Sequence, residues 1–231
     1  MASAQFTKGD KMVGASVASF LYNSGQTEVS FPSIPGYTGK SSSYGIRIEP
    51  TIGWFLSNQT ALGASLILHP FGQKTTYEDN GSSFQQDKSN SFDIGLGVFA
   101  RHYFDDKGNF LPFAQVGVNG GISSTSTEGY RYYSGTPDYK ETYDGESSGG
   151  FFTNASLQAG LTKMLNPNTG LDFYIGYTYS YNKNTFTTNR QTDIGIDGTI
   201  DFRSENETTT KFTNHGFIVG VGFQIFLTKK K

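Results

Sequence analysis

Residues 44–68 alternate with a period of two. Tyr44, Ile46, Ile48, Pro50, Ile52, Trp54 and Leu56 share one phase, and Gly45, Arg47, Glu49, Thr51, Gly53 and Phe55 share the other. After a polar break, Ser57-Asn58-Gln59-Thr60, the residues Leu62, Ala64, Leu66 and Leu68 alternate with Gly63, Ser65, Ile67 and His69. Such alternation specifies two strands, and the short break a tight hairpin. One face is almost wholly large and apolar, while the other carries charges and glycines. Against a protein core, Arg47 and Glu49 would face water. Against lipid, they would line the inside of a barrel.

The rest of the chain repeats the pattern. A first strand is expected at residues 12–21 and a fourth at 92–104, where Phe92, Ile94, Leu96, Val98 and Ala100 oppose Asp93, Gly95, Gly97, Phe99, Arg101 and Tyr103. Further strands are expected at 111–122, 151–164, 171–181 and 217–227. The joins alternate long, short, long, short, long, short, long. The short ones are turn chemistry, Asp105-Asp106-Lys107-Gly108-Asn109 and Asn166-Pro167-Asn168-Thr169-Gly170. The long ones, at residues 22–43, 70–90, 123–150 and 182–210, are read as loops of roughly 20–30 residues, uncommon in compact soluble domains. Pro50 lacks a donor for the ladder and predicts a bulge or break in the second strand.

Composition decides the sidedness. Charged residues make up 16% and hydrophobic residues 35%, with Gly 29, Phe 20 and Tyr 14. Lys and Glu gather outside the eight strand segments, although water-facing strand positions would normally supply them. The polar phase therefore reads as a hydrogen-bonded interior and the apolar phase as lipid contact, which requires a closed barrel. Trp54 and Phe104 fall at the short-turn ends of strands, and Tyr44, Phe92, Tyr179 and Tyr181 at the long-join ends, as two interfacial girdles would. The expected fold is all-β, an eight-stranded antiparallel up-and-down transmembrane β-barrel with short periplasmic turns and four long extracellular loops. An even strand number puts both termini at the periplasmic rim. Residues 1–11 form an N-terminal segment, 12–227 one barrel domain and 228–231 a polar tail. No charged-then-apolar export signal is present, and Met1-Ala2-Ser3 reads as a start placed on a mature sequence whose signal has been removed.

Function classes narrow accordingly. A net charge of −2 without a basic stripe argues against nucleic acid as a partner. Zero cysteine rules out disulfides and thiol catalysis. Arg47, Glu49, Asp93 and Arg101 share the inward phase and predict one ion-pair network, completed by Tyr103, Gln115, Gln158 and Asn154; packing of a narrow lumen outweighs a proton or ion relay. His69, His102 and His215 are scattered, and no pair has metal-ligand spacing. Asp193, Asp197 and Asp201 recur every four residues, but Ile194 and Ile196 stand where a calcium loop wants oxygens. Neither a metal nor another cofactor is expected. Tyr130, Tyr132, Tyr133, Tyr139 and Tyr143, among Ser and Gly, suggest an adaptable contact surface in the third loop.

Three segments carry a family resemblance. These are Ile48-Glu49-Pro50-Thr51-Ile52-Gly53-Trp54-Phe55 with its hairpin, Gly97-Val98-Phe99-Ala100-Arg101-His102-Tyr103-Phe104 followed by Leu111-Pro112-Phe113, and Gly220-Val221-Gly222-Phe223-Gln224-Ile225-Phe226. With them the chain resembles the small outer-membrane β-barrel family of Gram-negative bacteria, the OmpX/OmpA-type eight-stranded barrels, over residues 12–227. The last segment resembles the C-terminal insertion signal read by the barrel-assembly machinery, with Gly220, Phe223, Ile225 and Phe226 as its elements. Such signals usually end on the final aromatic residue, whereas Leu227-Thr228-Lys229-Lys230-Lys231 follows here. The resemblance implies an outer-membrane location, with phospholipid, lipopolysaccharide and the assembly machinery as partners, and leaves room for an outer-membrane protein partner. A non-enzymatic role in surface interaction, envelope integrity or a larger outer-membrane complex is expected. The alternatives are a barrel enzyme acting on lipid A or peptides, and a narrow channel.

Overall fold

A computed structural model describes residues 6–29, 37–79, 82–104 and 108–228. Eight strands follow one another: β1 (Lys11–Val29), β2 (Tyr37–Phe55), β3 (Thr60–Asp79), β4 (Ser82–Tyr103), β5 (Phe110–Tyr133), β6 (Tyr139–Asn166), β7 (Thr169–Ile194) and β8 (Phe202–Leu227). Each pairs antiparallel with its sequence neighbours, and β1 pairs with β8 to close the barrel. Parts of the expected joins, residues 30–36, 80–81 and 105–107, lie outside the described residues, as do 1–5 and 229–231.

The apolar phase faces out. Leu96 is 72% exposed, Val98 62%, Ile175 65% and Val219 74%, whereas their neighbours Gly95, Gly97, Tyr174 and Gly220 are buried. A continuous outward belt of Leu, Ile, Val and Phe is unsuited to water and suited to hydrocarbon. Trp54 and Phe104 border it at one rim, and Tyr44, Phe92 and Tyr179 at the other, all exposed. Ten residues separate Tyr44 from Trp54 along β2. At about 3.3 Å per residue and a tilt of ~40°, that is about 25 Å along the membrane normal, the height of a hydrocarbon belt.

The segments expected as four long loops are mostly strand. β5 runs to Tyr133 where a loop was expected after residue 122, and β6 begins at Tyr139 rather than near residue 151. The ladder continues there through pairs such as Thr127–Gly145 and Arg131–Glu141. These stretches are rich in Ser, Thr and Tyr, and beyond the belt both faces of the wall are wet. Apolar alternation therefore disappears while strand pairing persists. The barrel stands well above the belt at this rim, and Lys88 and Glu128 pair across β4 and β5 at 2.7 Å there.

The break expected at Pro50 is present as a gap in the β2–β3 ladder, where Glu49 and Pro50 are without pairs, and it leaves the register unchanged. Ile48 pairs with Leu68 and Thr51 with Ser65, so β2 keeps its register with β3 across Pro50. The bulge lies in β1 between Val17 and Ser19, beside that stretch of β2. Pro50 itself sits opposite Ala15.

The expectation of a hydrogen-bonded polar interior is corrected at one end. At the short-turn end the lumen is filled by Phe6, Met12, Phe55, Tyr103, Leu111, Phe113, Met164 and Phe226. Phe6 comes from the segment before β1 and lies 4.5 Å from the Phe55 ring, 4.6 Å from Phe226 and 5.1 Å from Tyr103. Backbone bonds hold the segment in place, Gly9 N–H to Phe55 O and Phe55 N–H to Asp10 O, both 2.9 Å. Burying aromatic surface against this end removes it from water, which large residues need at the one point where lipid cannot reach.

Candidate functional site

The lumen is layered. Directly above the aromatic floor, Arg101 from β4 meets Asp172 from β7, Nη1 to carboxylate, at 2.6 Å; both side chains are buried. Arg101 also donates to Gln115 at 2.7 Å and to the Tyr103 hydroxyl at 3.2 Å, and its guanidinium lies 4.1 Å over the Phe113 ring. Asp172 further accepts from Thr162 at 2.6 Å and Gln224 at 3.0 Å. Gln115 donates to Gln158 at 3.3 Å. A buried charge pair is tolerable only with its remaining hydrogen-bonding capacity met, and here it largely is.

Above this layer lies a cavity of about 230 Å³, and the Arg47–Glu49 pair lines it. That pair spans 2.6 Å within β2. Arg47 reaches Asn119 at 3.5 Å, and Asn154 donates to Asn119 at 2.7 Å. Thr51 Oγ1 and Gln224 Oε1 are buried among the described residues without a hydrogen-bond partner, and both residues line the cavity. At ~30 Å³ per water the cavity has room to satisfy them. Higher still, His69 Nδ1 meets Asp93 at 3.0 Å, and Ser123 donates to the other Asp93 oxygen at 2.6 Å.

The single network expected from Arg47, Glu49, Asp93 and Arg101 is therefore three separate sets at three heights. Arg47 is engaged by Glu49 and Asn119, Asp93 by His69 and Ser123, and Arg101 by Asp172 and Gln115. Asp172 is the partner that sequence reasoning missed. Its inward phase was readable, but which inward residue it faces depends on the stagger of strands that are not neighbours. His69, Asp93 and Ser123 also fall short of a nucleophilic set, because Ser123 bonds the carboxylate and not the imidazole. His102 faces outward and bonds Thr60 at 3.0 Å, and exposed His215 bonds Tyr177 at 2.9 Å.

Above the belt the tyrosines expected in an adaptable loop sit on β5 and β6 or at their ends. A bulge in β6 between Ser147 and Gly149 switches its phase, so that Tyr143 points inward where Phe152 and Asn154 do so lower down. Tyr143 donates to Asp87. Burial and that carboxylate push its phenol well above the usual range. Arg131 donates to Gln85 at 2.6 Å and to Tyr133 at 3.1 Å, and Tyr133 donates to Glu141 at 3.2 Å. The Tyr133 hydroxyl, which accepts from it, raises the Arg131 pKa. Tyr133 stacks on Tyr139 at 4.3 Å, and Tyr130 bonds Ser83 at 3.0 Å. Tyr132 faces outward, with the Lys140 ammonium 5.3 Å over its ring. The surface is held by cross-strand bonds and is not a pliable loop.

The aspartates of the β7–β8 connection serve the backbone. Asp193 accepts from the N–H groups of Asp197 and Gly198 at 3.2 and 3.0 Å, and Asp201 accepts from Ile194 N–H at 2.6 Å. Asp197 accepts from Thr199 N–H at 2.8 Å, which lowers its pKa. These carboxylates fold a tight turn that places Ile196 at φ +55°. Among the described residues no cluster of three or more His, Asp or Glu is placed to hold a metal.

Of the proposed assembly residues, Phe223 and Ile225 face out, while Phe226 points into the floor at 1% exposure. A side chain at Gly220 would collide with the Tyr174 ring.

No family model matches this sequence, and no curated protein matches it. Among solved structures the chain is similar to the N-terminal β-barrel domain of OprF from Pseudomonas aeruginosa, at 13% identity and TM-score 0.39, over 95% of this chain and 98% of that one. It is similar to the outer membrane protein OprG of the same organism at 14% identity and TM-score 0.40, over 97% and 98%. It is similar to a major outer membrane protein from Thermus thermophilus at 11% identity and TM-score 0.46, over 94% and 99%. The fold is that of an outer-membrane β-barrel. Eight strands closed into one sheet and a continuous outward apolar belt define it in this chain.

Proposed function

We propose that this chain is a non-enzymatic integral protein of a Gram-negative outer membrane that works through the barrel wall above its belt. Both termini lie on the periplasmic side in this reading, and the tyrosine-bearing rim faces outward from the cell. Phospholipid and lipopolysaccharide surround the belt, and the barrel-assembly machinery inserts it. The rim recognises a surface ligand or an outer-membrane protein partner.

The observation that supports this best is the combination of an ordered polar wall above the belt with a lumen filled below by Phe6, Phe55, Tyr103, Phe113 and Phe226. A filled floor favours recognition over conduction. The test is isolation from native membrane in mild detergent, beside a variant carrying Tyr132→Ala and Lys140→Ala. A partner recovered in stoichiometric amount with the parent and lost with the variant is expected. Unitary currents from the parent protein in a planar bilayer would overturn the reading in favour of a channel.

A further inference from the structure

The wall closes over only part of its height. β1 and β8 pair from Lys11–Leu227 to Val17–Val221, yet β1 continues to Val29 and β8 extends back to Phe202. Among the described residues, the facing edges of both strands are without ladder partners above that point. On the other side, β1 remains paired with β2 up to Val29–Tyr37, and β8 with β7 up to Phe202–Thr192.

The bulge explains where the pairing stops. Below it, Val13 is exposed and Met12 buried, so odd residues of β1 face out. Above it, Tyr22 is exposed opposite Tyr44, so even residues face out. On β8 the odd residues Phe217, Val219 and Val221 face out throughout. The lower register of β1 with β8, extended upward, would set outward Tyr22 against Gly216, which lies in the inward phase. The extra residue, Ala18, keeps β1 in step with β2 and throws it out of step with β8.

The parting begins inside the belt. The aromatic girdle lies at Tyr22–Tyr44 and at Tyr179–His215. About five residues of each strand, or roughly 15 Å of strand at ~3.3 Å per residue, therefore part below it. Phe217 is 87% exposed and Val219 74%, at the height where the β1–β8 ladder has ended. Bare strand edges at hydrocarbon depth need polar partners. The lumen cavity reaches this point, with Ser16 and Ile218 in its lining. Ile218 is flanked by Gly216 and Gly220 on the inward phase, and a side chain at Gly216 would meet open space.

We propose that the β1–β8 seam above Val17 and Val221 is a lateral opening, held by the bulge at Ala18 and occupied by a lipid of the surrounding bilayer. The acyl chain runs over Phe217 and Val219 to Ile218, and the polar groups of the lipid bond the bare edges. The belt immerses the seam in lipid, which is why a bilayer lipid is the occupant. The inference rests on the transmembrane reading of the belt.

The test uses tryptophan fluorescence in vesicles of phosphatidylcholine with brominated acyl chains. Trp54 is the only tryptophan, so a Trp54→Phe background is silent. In it, Leu96→Trp reports lipid contact on the outer wall, Phe113→Trp reports the sealed floor, which lies outside the cavity lining, and Ile218→Trp reports the seam. Strong quenching at position 218, approaching that at 96 and several-fold above that at 113, is expected. Deleting Ala18 should bring Tyr22 opposite Phe217, let the strands pair and reduce quenching at 218 to the level at 113. Quenching at 218 no greater than at 113 overturns the opening, including the case in which a second copy of the chain covers the seam. Quenching that persists after the deletion overturns the bulge as its cause. Loss of quenching at 96 would instead overturn the transmembrane belt. If Ile218→Trp does not fold, a nitroxide on Ile218→Cys replaces it, with greater access to oxygen than to a water-soluble nickel chelate as the expected result and the reverse as the overturning one.

Discussion

Arg101 and Asp172 meet at 2.6 Å across the lumen, from β4 and β7, strands that do not pair with each other. Removing either partner strands a buried charge. Arg101→Ala or Asp172→Ala is expected to cost about 3–5 kcal/mol. The paired change Arg101→Met with Asp172→Leu should cost less than either single one, because no uncompensated charge remains. Urea titration in detergent, followed by Trp54 fluorescence, measures both. Single variants with unchanged midpoints would show that the pair is not a stabilising contact.

Phe6 is the keystone of the floor, in ring contact with Phe55, Tyr103 and Phe226. Phe6→Ala should destabilise by about 3–5 kcal/mol through lost burial and the cavity left behind. The loss should be local as well as global. Amide exchange at Phe55, which donates to Asp10 O, should accelerate more than exchange at Leu157 in mid-wall. Uniform acceleration would place Phe6 outside the floor.

Tyr143 gives a pH dependence with a definite sign. Its phenol is raised by burial first and by Asp87 second. The folded state therefore holds this proton above the pH, about 10, at which an unfolded tyrosine releases it. The contribution is whole below that pH and is lost as pH rises through the raised folded value. Protease resistance of the wall above the belt should fall on alkaline titration, and Tyr143→Phe should remove that component. An unchanged alkaline profile in the variant would contradict the assignment.

The belt was legible in the sequence because lipid imposes one requirement on every second residue. Leu96, Val98 and Ile175 obey it without knowledge of any partner. What the requirement does not touch was harder to read. Thr127, Tyr133 and Thr188 lie where both wall faces are wet, so their strands carry no apolar phase and read as loops. Their β-branched and aromatic character was the available signal. Asp172 was readable as inward but not as the partner of Arg101, since barrel stagger sets that meeting. Phe6 gave no signal at all, being one aromatic residue in a segment with no alternation around it. At Pro50, where a donor is missing, a bulge or break was expected; the β2–β3 ladder breaks there without shifting register, while the bulge itself lies in β1.

The contact of Phe6 with Phe226 joins the segment before β1 to the last residues of β8. A slip of β8 by one position would rotate Phe226 outward and bring Ile225 or Leu227 toward Phe6, leaving the floor hollow. A misaligned final strand is thus marked by a void that only the correct alignment fills. The packed floor tells the correct register of β8 from its one-residue neighbours.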